Sequence, residues 1–221
     1  MLNFEYMFGL LPVLLGYVPL TMGMASLAMA LALFLGSLLA VIRVLQLPVA
    51  DPLTRLFISF FRGTPLLVQL FLFYYGLPQL FSSLTAIDGI TAAIAGLTLH
   101  FAAYMAESIR AAIIGVDRSQ WDAAKSIGMT MAQMLRRIIL PQASRIAAPT
   151  LVNYFIDIIK STSLAFTLGV TELMGSAQKE AASSFLYFEA FILVAFIYWI
   201  IVEALSYVQS ALERHLNRAY R

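Results

Sequence analysis

The sequence contains no cysteine. That excludes disulfides, thiolate catalysis, zinc–thiolate sites and cysteine-ligated iron–sulfur clusters. Histidine is confined to His100 and His215, too few and too far apart for a metal site. No recognisable nucleophile accompanies His100, which argues against an intramembrane hydrolase and leaves no catalytic residue to assign. No lysine follows a glycine, so the Gly-x-x-x-x-Gly-Lys-Ser/Thr phosphate loop is missing. The chain therefore cannot bind ATP in the usual loop. Charge is scarce as well, at 12% of residues, where a soluble domain carries about a quarter. Nucleic acid is not an expected partner.

Apolar residues are abundant: 61% of the 221 residues are hydrophobic, and the mean hydropathy is +0.86. Too little polar surface is present to cover a soluble fold, so lipid must cover the rest. A spanning helix needs about 20 mostly apolar residues. No charge interrupts Tyr6 to Ile42. The first span is expected from near Thr21 through Met24–Arg43, preceded by a short interfacial helix punctuated by Pro12, Gly16 and Pro19. Further spans are expected at Gly63–Ile87, Asp88–Gly115, Ile146–Leu168 and Phe185–Leu212. The fold class is thus an all-α integral membrane protein of about five spans, forming a single domain over residues 1–221.

Lysine and arginine set the orientation. Arg43, Arg55 and Arg62 flank the first connection. Arg110, Arg118, Lys125, Arg136, Arg137 and Arg145 flank or fill the third, and Arg214, Arg218 and Arg221 lie in the tail. Only Lys179 falls on the opposite side, and Lys160 lies within a span. These connections and the C-terminus are expected in the cytoplasm, with the N-terminus outside.

The connection at about 116–141 is too polar to span and too ordered to be a linker. Asp117-Arg118-Ser119 offers N-cap chemistry, so a helix is expected at Gln120–Ile127, stopped by Gly128. Thr130 caps a second, Met131–Leu140, expected to end at Pro141. Periodicity alone equally allows an interfacial helix lying on lipid.

The residues themselves go further. Asp122-Ala123-Ala124, three residues, Gly128, nine residues, then Ile138-x-Leu140-Pro141 resembles the EAA loop of bacterial importer permeases of the ATP-binding cassette (ABC) class; Asp122 replaces the usual Glu. Phe61-Arg62-Gly63-Thr64-Pro65, Ala102-Ala103-Tyr104-Met105-Ala106-Glu107 and Lys160-Ser161-Thr162-Ser163-Leu164 are similar to the polar amino acid branch of these permeases, which takes up His, Glu, Gln, Arg, opines and cystine. The likeness runs from about Gly16 to the tail. It implies a type I importer fold in the bacterial inner membrane and a translocation subunit rather than an enzyme. It also implies an ATPase dimer that brings ATP and Mg, a periplasmic solute-binding protein, and a second permease copy, a homodimer or a related chain. Asp122, Ala123, Ala124, Gly128, Ile138, Leu140 and Pro141 would then couple to the ATPase, with Ala123 and Ala124 allowing close approach and Asp122 capping a helix or pairing with a base. Two departures are His100, where the branch often has Asn, and Ser161, where Asp commonly follows the Lys.

Charges inside a bilayer usually face a cavity or one another. Thr150, Asn153, Asp157, Lys160 and Ser161 share one helical stripe, joined by Tyr154 and Thr162 in the candidate pathway. His100, Tyr104 and Glu107 share another, and Arg55, Arg62 and Gln69 recur every seven residues. Three stripes imply a common internal pathway. Mutual pairing is the competing account: Glu107 with Arg110, for which pairing is preferred, and Asp157 with Lys160, for which the pathway is preferred. One acid, one base and neutral hydrogen-bonding groups suit a zwitterionic amino acid, cystine among the candidates. An ion-coupled secondary transporter is the rival reading of the buried Asp157 and Lys160.

Overall fold

The computed structural model describes residues 2–217, and of 212, 213 and 215–217 the backbone alone. Arg218, Arg221 and the His215 side chain therefore lie outside the described residues. Those described form helices and no strand.

Asn3 starts α1 (Phe4–Leu15) by accepting the Tyr6 amide at 3.0 Å. Helix α2 (Val18–Leu45) follows with Pro19 in its first turn, where proline loses no helical bond. Along α2 the buried residues Ala25, Ala28, Ala32, Gly36 and Ala40 recur every three or four positions. They form a small-residue seam against α6 (Gly89–Ile114), of the kind that lets helix backbones approach in lipid. At Gly36 a Cβ would stand 2.9 Å from Met105 Cβ and 3.0 Å from the Ala102 carbonyl.

The uncharged run Gly63–Ile87 is not one helix. Helix α3 (Ala50–Gly63) is amphipathic and meets the next segment at 110°. That segment divides into α4 (Leu66–Phe71), a π-turn (Leu72–Gly76) and α5 (Leu77–Leu80), followed by a 3₁₀ turn at Ser82–Leu84. Pro65 disfavours helix at Thr64. Pro78 brings no N–H, and the wide turn before it accommodates the missing bond.

In the 116–141 connection, Asp117 caps α7 (Arg118–Ser126) by accepting the Ser119 amide at 2.7 Å. That hydrogen bond holds its carboxyl below the usual range. Gly128 has φ +76°; its amide reaches the Lys125 carbonyl at 2.9 Å, and Met129 reaches Ala124 at 3.1 Å. This pair of bonds is a Schellman stop, and the left-handed residue is the glycine it favours. Thr130 and Gln133 form a reciprocal capping box at α8 (Met131–Met134). The expected end at Pro141 is corrected. A π-turn at Leu135–Ile139 carries the chain into α9 (Leu140–Ser161), where Pro141 occupies the first turn. Proline is tolerated there because the wide π-turn before it accommodates the bond it cannot donate. Helix α9 yields to a 3₁₀ stretch, Thr162–Leu168, rather than continuing to Leu168 as α-helix.

The chain closes with α10 (Leu173–Ser184) and α11 (Tyr187–Asn217). Among the described residues, three stretches are long and apolar enough to cross a membrane: Phe4–Leu45, Gly89–Ile114 and Tyr187–Ala211. The bent pair Ala50–Gly63 and Leu66–Leu80 is a fourth if it counts as one span. Helix α9, the expected fourth span, is not among them, because its inner face is polar.

Buried charge ties three helices at one end. Arg43 of α2 binds Asp51 at 2.7 Å and approaches Glu107 at 3.7 Å. Arg55 binds Asp51 at 2.7 Å, and Arg110 binds Glu107 at 2.8 Å. Pairing is thus the lot of Glu107 and Arg110.

Gly36→Leu should force α2 from α6 at a cost of about 1–3 kcal/mol, the range for overpacking. The detergent-purified protein should melt at lower temperature, while Ala30→Leu on the exposed face of α2 leaves the transition in place.

Candidate functional site: a cavity between α6 and α9

Helices α6 and α9 run side by side in opposite chain order, so their polar stripes face a common groove. A cavity of about 500 Å³ opens there, lined by His100, Phe101, Tyr104, Tyr154, Asp157, Lys160, Ser161, Ser163 and Leu164. Asp157 and Lys160 pair across one helical turn at 2.8 Å, yet their side chains stay 48% and 54% exposed. They neutralise each other without being sealed, so a ligand can compete for both. Tyr154 donates to or accepts from Ser108 at 2.7 Å.

Behind the cavity, the Gln69 amide group acts as a clamp. Its Nε2 lies 2.9 Å from the Phe61 carbonyl, 3.1 Å from the Thr64 carbonyl and 2.8 Å from Thr64 Oγ1. Carbonyls only accept, so the nitrogen of the amide must face them. The Gln69 oxygen is then left facing His100 Nδ1 at 3.0 Å, and that nitrogen must carry a proton. In the uncharged ring, Nε2 therefore bears a lone pair and acts as an acceptor. The Arg62 guanidinium lies 5.4 Å from the Tyr104 ring centroid, a cation–π distance that steadies the tyrosine.

Of the residues expected in the pathway, His100, Tyr104, Tyr154, Asp157, Lys160 and Ser161 meet at the cavity. Gln69 and Arg62 stand one layer back. Gln69 does not continue the stripe of Arg55 and Arg62, because the 110° bend separates α4 from α3. Glu107 belongs to the charge cluster. Asn153 is exposed and lines no described cavity. Thr162 is completely buried and donates to the Ile159 carbonyl at 2.7 Å. Phe101, Ser108, Ser163 and Leu164 were not among the expected pathway residues; Ser108 sits one turn below Tyr104, which periodicity could have signalled. Also missed was Glu172, fully buried, which caps α10 at the Gly175 amide and accepts from Tyr198 at 3.2 Å and Thr21 at 3.4 Å.

In the 116–141 connection, Ala123, Gly128, Leu140 and Pro141 are exposed and Ile138 is half-buried. Ala124 is 1% exposed and packs inward on Ala112, Met134, Ile139 and Ala143. Its small size serves close approach of α7 to its own bundle rather than to a partner. Asp122 lies exposed within α7 and does not cap it; Asp117 does. A recess of about 450 Å³ beside α7 is lined by Ile114, Arg118, Trp121, Asp122, Lys125 and Met131.

Residues 32–218 match the family described as the binding-protein-dependent transport system inner membrane component. The chain belongs to this family. It is a multi-pass protein of the inner membrane and a permease subunit of an ABC transporter. It is 63% identical over 218 residues to the probable amino-acid ABC transporter permease protein PatM of Vibrio harveyi, covering 99% of this chain and 98% of that one. It is 43% identical to the L-cystine transport system permease protein TcyB of Bacillus subtilis, over 85% of this chain and 81% of the relative. Among solved structures it resembles a crystal structure of an amino acid ABC transporter with histidines, at TM-score 0.91 and 32% identity over 97% of this chain and 99% of that one.

Gln69→Ala should strand the Phe61 and Thr64 carbonyls and the His100 Nδ1–H together, a loss of about 1–3 kcal/mol for unsatisfied buried groups. Thermal unfolding in detergent should show the drop, with Gln79→Ala, at an exposed glutamine, as the unaffected control.

Proposed function

We propose that this chain is the translocation subunit of an ATP-driven importer of zwitterionic polar amino acids, and that the α6–α9 cavity holds the amino acid in transit. One observation carries the assignment of the cavity: an open Asp157–Lys160 pair at 2.8 Å on the wall, beside a His100 whose tautomer is set by Gln69. An α-ammonium has acceptors waiting in Asp157 and His100 Nε2. An α-carboxylate has the Lys160 ammonium. Each ligand charge replaces one partner of the existing pair, so no ion is left unmatched on binding or release. The relatives named for amino acids support this substrate class, and TcyB supports cystine within it.

The energy comes from elsewhere, since the chain lacks a phosphate loop. A separate ATPase pair, carrying ATP and Mg, docks on the exposed face of α7 and on the Gly128 turn. A solute-binding protein delivers ligand from the opposite side, and a second permease copy closes the pathway. Closure of the ATPase moves α7 and α8 against α6 and α9, and the cavity changes its access.

Two measurements test this. Asp157→Asn leaves Lys160 in surplus. In proteoliposomes with the ATPase and receptor, half-saturation for neutral amino acids should rise about tenfold or more, as loss of one charged hydrogen bond allows, while acidic amino acids gain. Unchanged selectivity at normal assembly would remove the cavity from the pathway. Gly128→Val forces a branched residue to φ +76°, a strain of about 1–2 kcal/mol; ATP-driven uptake should be lost with insertion intact.

A further inference from the structure

Below the first cavity lies a second one of about 270 Å³, lined by Ser108, Ala111, Ala112, Ile146, Ala147 and Thr150. The same two helices build both. Down α6 the groove runs His100, Tyr104, Ser108, then Ala111 and Ala112. Down α9 it runs Ser161, Asp157, Tyr154, Thr150, then Ala147 and Ile146. One contact crosses the groove at the boundary. Tyr154 lines the upper cavity, Ser108 lines the lower, and their hydroxyls meet at 2.7 Å.

We propose that the Tyr154–Ser108 hydrogen bond is a gate between the binding cavity and a release vestibule on the coupling-loop side. The inference rests on the reading of the upper cavity as the amino-acid site.

The position of the rung is the first support. It is placed about one helical turn, some 6 Å, beyond Tyr104, at the level where the lining changes from polar and aromatic to small. Beyond it the walls offer three alanines, one isoleucine and the Thr150 hydroxyl, so a charged ligand that passes finds no ionic partner in this lining to retain it. The strength of the rung is the second support. It joins two neutral hydroxyls, the weaker class of hydrogen bond, and so opens far more readily than the charged clasp around Arg43 and Glu107. The mechanical link is the third. Ala112 and Ala147 of the vestibule pack in one apolar cluster with Val116, Ala124, Met134 and Ile139. Displacement of the α7–α8 loop therefore moves the vestibule walls directly, and through α9 it moves Tyr154.

The absence of cysteine allows a test with single reporters. Thr150→Cys lies below the rung and Ser163→Cys above it. The permease–ATPase complex is taken in inside-out vesicles without nucleotide, and a membrane-impermeant methanethiosulfonate is added. Thr150→Cys should react at least several-fold faster than Ser163→Cys. Adding Tyr154→Phe, which keeps the ring and removes the hydroxyl, should raise labelling of Ser163→Cys about fivefold, the population change that one ordinary hydrogen bond permits. Ser108→Ala should do the same, and the double variant should add nothing further. Labelling of Thr150→Cys should not move, which reports an intact fold. Equal reaction of the two cysteines in the parent overturns the gate, as do unchanged labelling in Tyr154→Phe or additive effects of the two substitutions. ATP-driven uptake over a panel of amino acids separately tests the cavity assignment: if none is transported that assignment falls, whereas the labelling ratio still decides whether the rung closes the groove.

Discussion

The close approach of α2 to α6 is the constraint on which the remaining structure depends. In lipid, apolar side chains gain little by leaving the solvent, so helices adhere through van der Waals contact and need small residues to reach it. The alanines at 25, 28, 32 and 40 and Gly36 supply that contact. Helix α6 is thereby a fixed rail, and every functional feature is placed relative to it. Gln69 ties the bent α3–α4 segment to His100 on α6, Arg62 lies over Tyr104 on α6, and α9 completes the cavity from the other side.

Charge receives three distinct treatments in one small bundle. The Arg43–Asp51 and Glu107–Arg110 pairs are partly enclosed, with the exposed Arg55 bound to Asp51 from outside, and together they join three helices as a clasp. Glu172 is fully buried without a cation and is matched instead by hydroxyls and a helix N-terminus, which pins α10 to α2 and α11. Asp157 and Lys160 pair with both side chains about half exposed. Removing one partner of an enclosed pair leaves an unmatched buried ion, whereas an open pair can exchange partners with a ligand. Acidic side chains are common to the three; accessibility separates a clasp from a pair open to solvent.

The loop at 116–141 combines two demands. In the proposed importer its exposed surface meets the ATPase, and its interior transmits that partner's movement. Ala124 facing inward and Ala123 facing outward, on adjacent positions of α7, divide those tasks. The continuous run through the π-turn into α9 makes the loop mechanically part of the cavity wall, which a break at Pro141 would not have done.

Much was legible in the residues because membrane helices carry strong one-dimensional signals. The all-helical class, the capping at Asp117 and Thr130, the stop at Gly128 and the stripes on α6 and α9 all follow from local chemistry or 3.6-residue periodicity. The seven-residue recurrence of Arg55, Arg62 and Gln69 misled, because periodicity assumes a straight helix and Pro65 had already broken it. For Asp157 and Lys160 the stripe favoured the pathway over mutual pairing, and the two residues do pair. Their solvent access was not legible, because it arises only when α9 is set against α6. The inward turn of Ala124, the tautomer of His100 and the Tyr154–Ser108 rung likewise exist only across helices distant in the chain, and no local pattern encodes a distance between them.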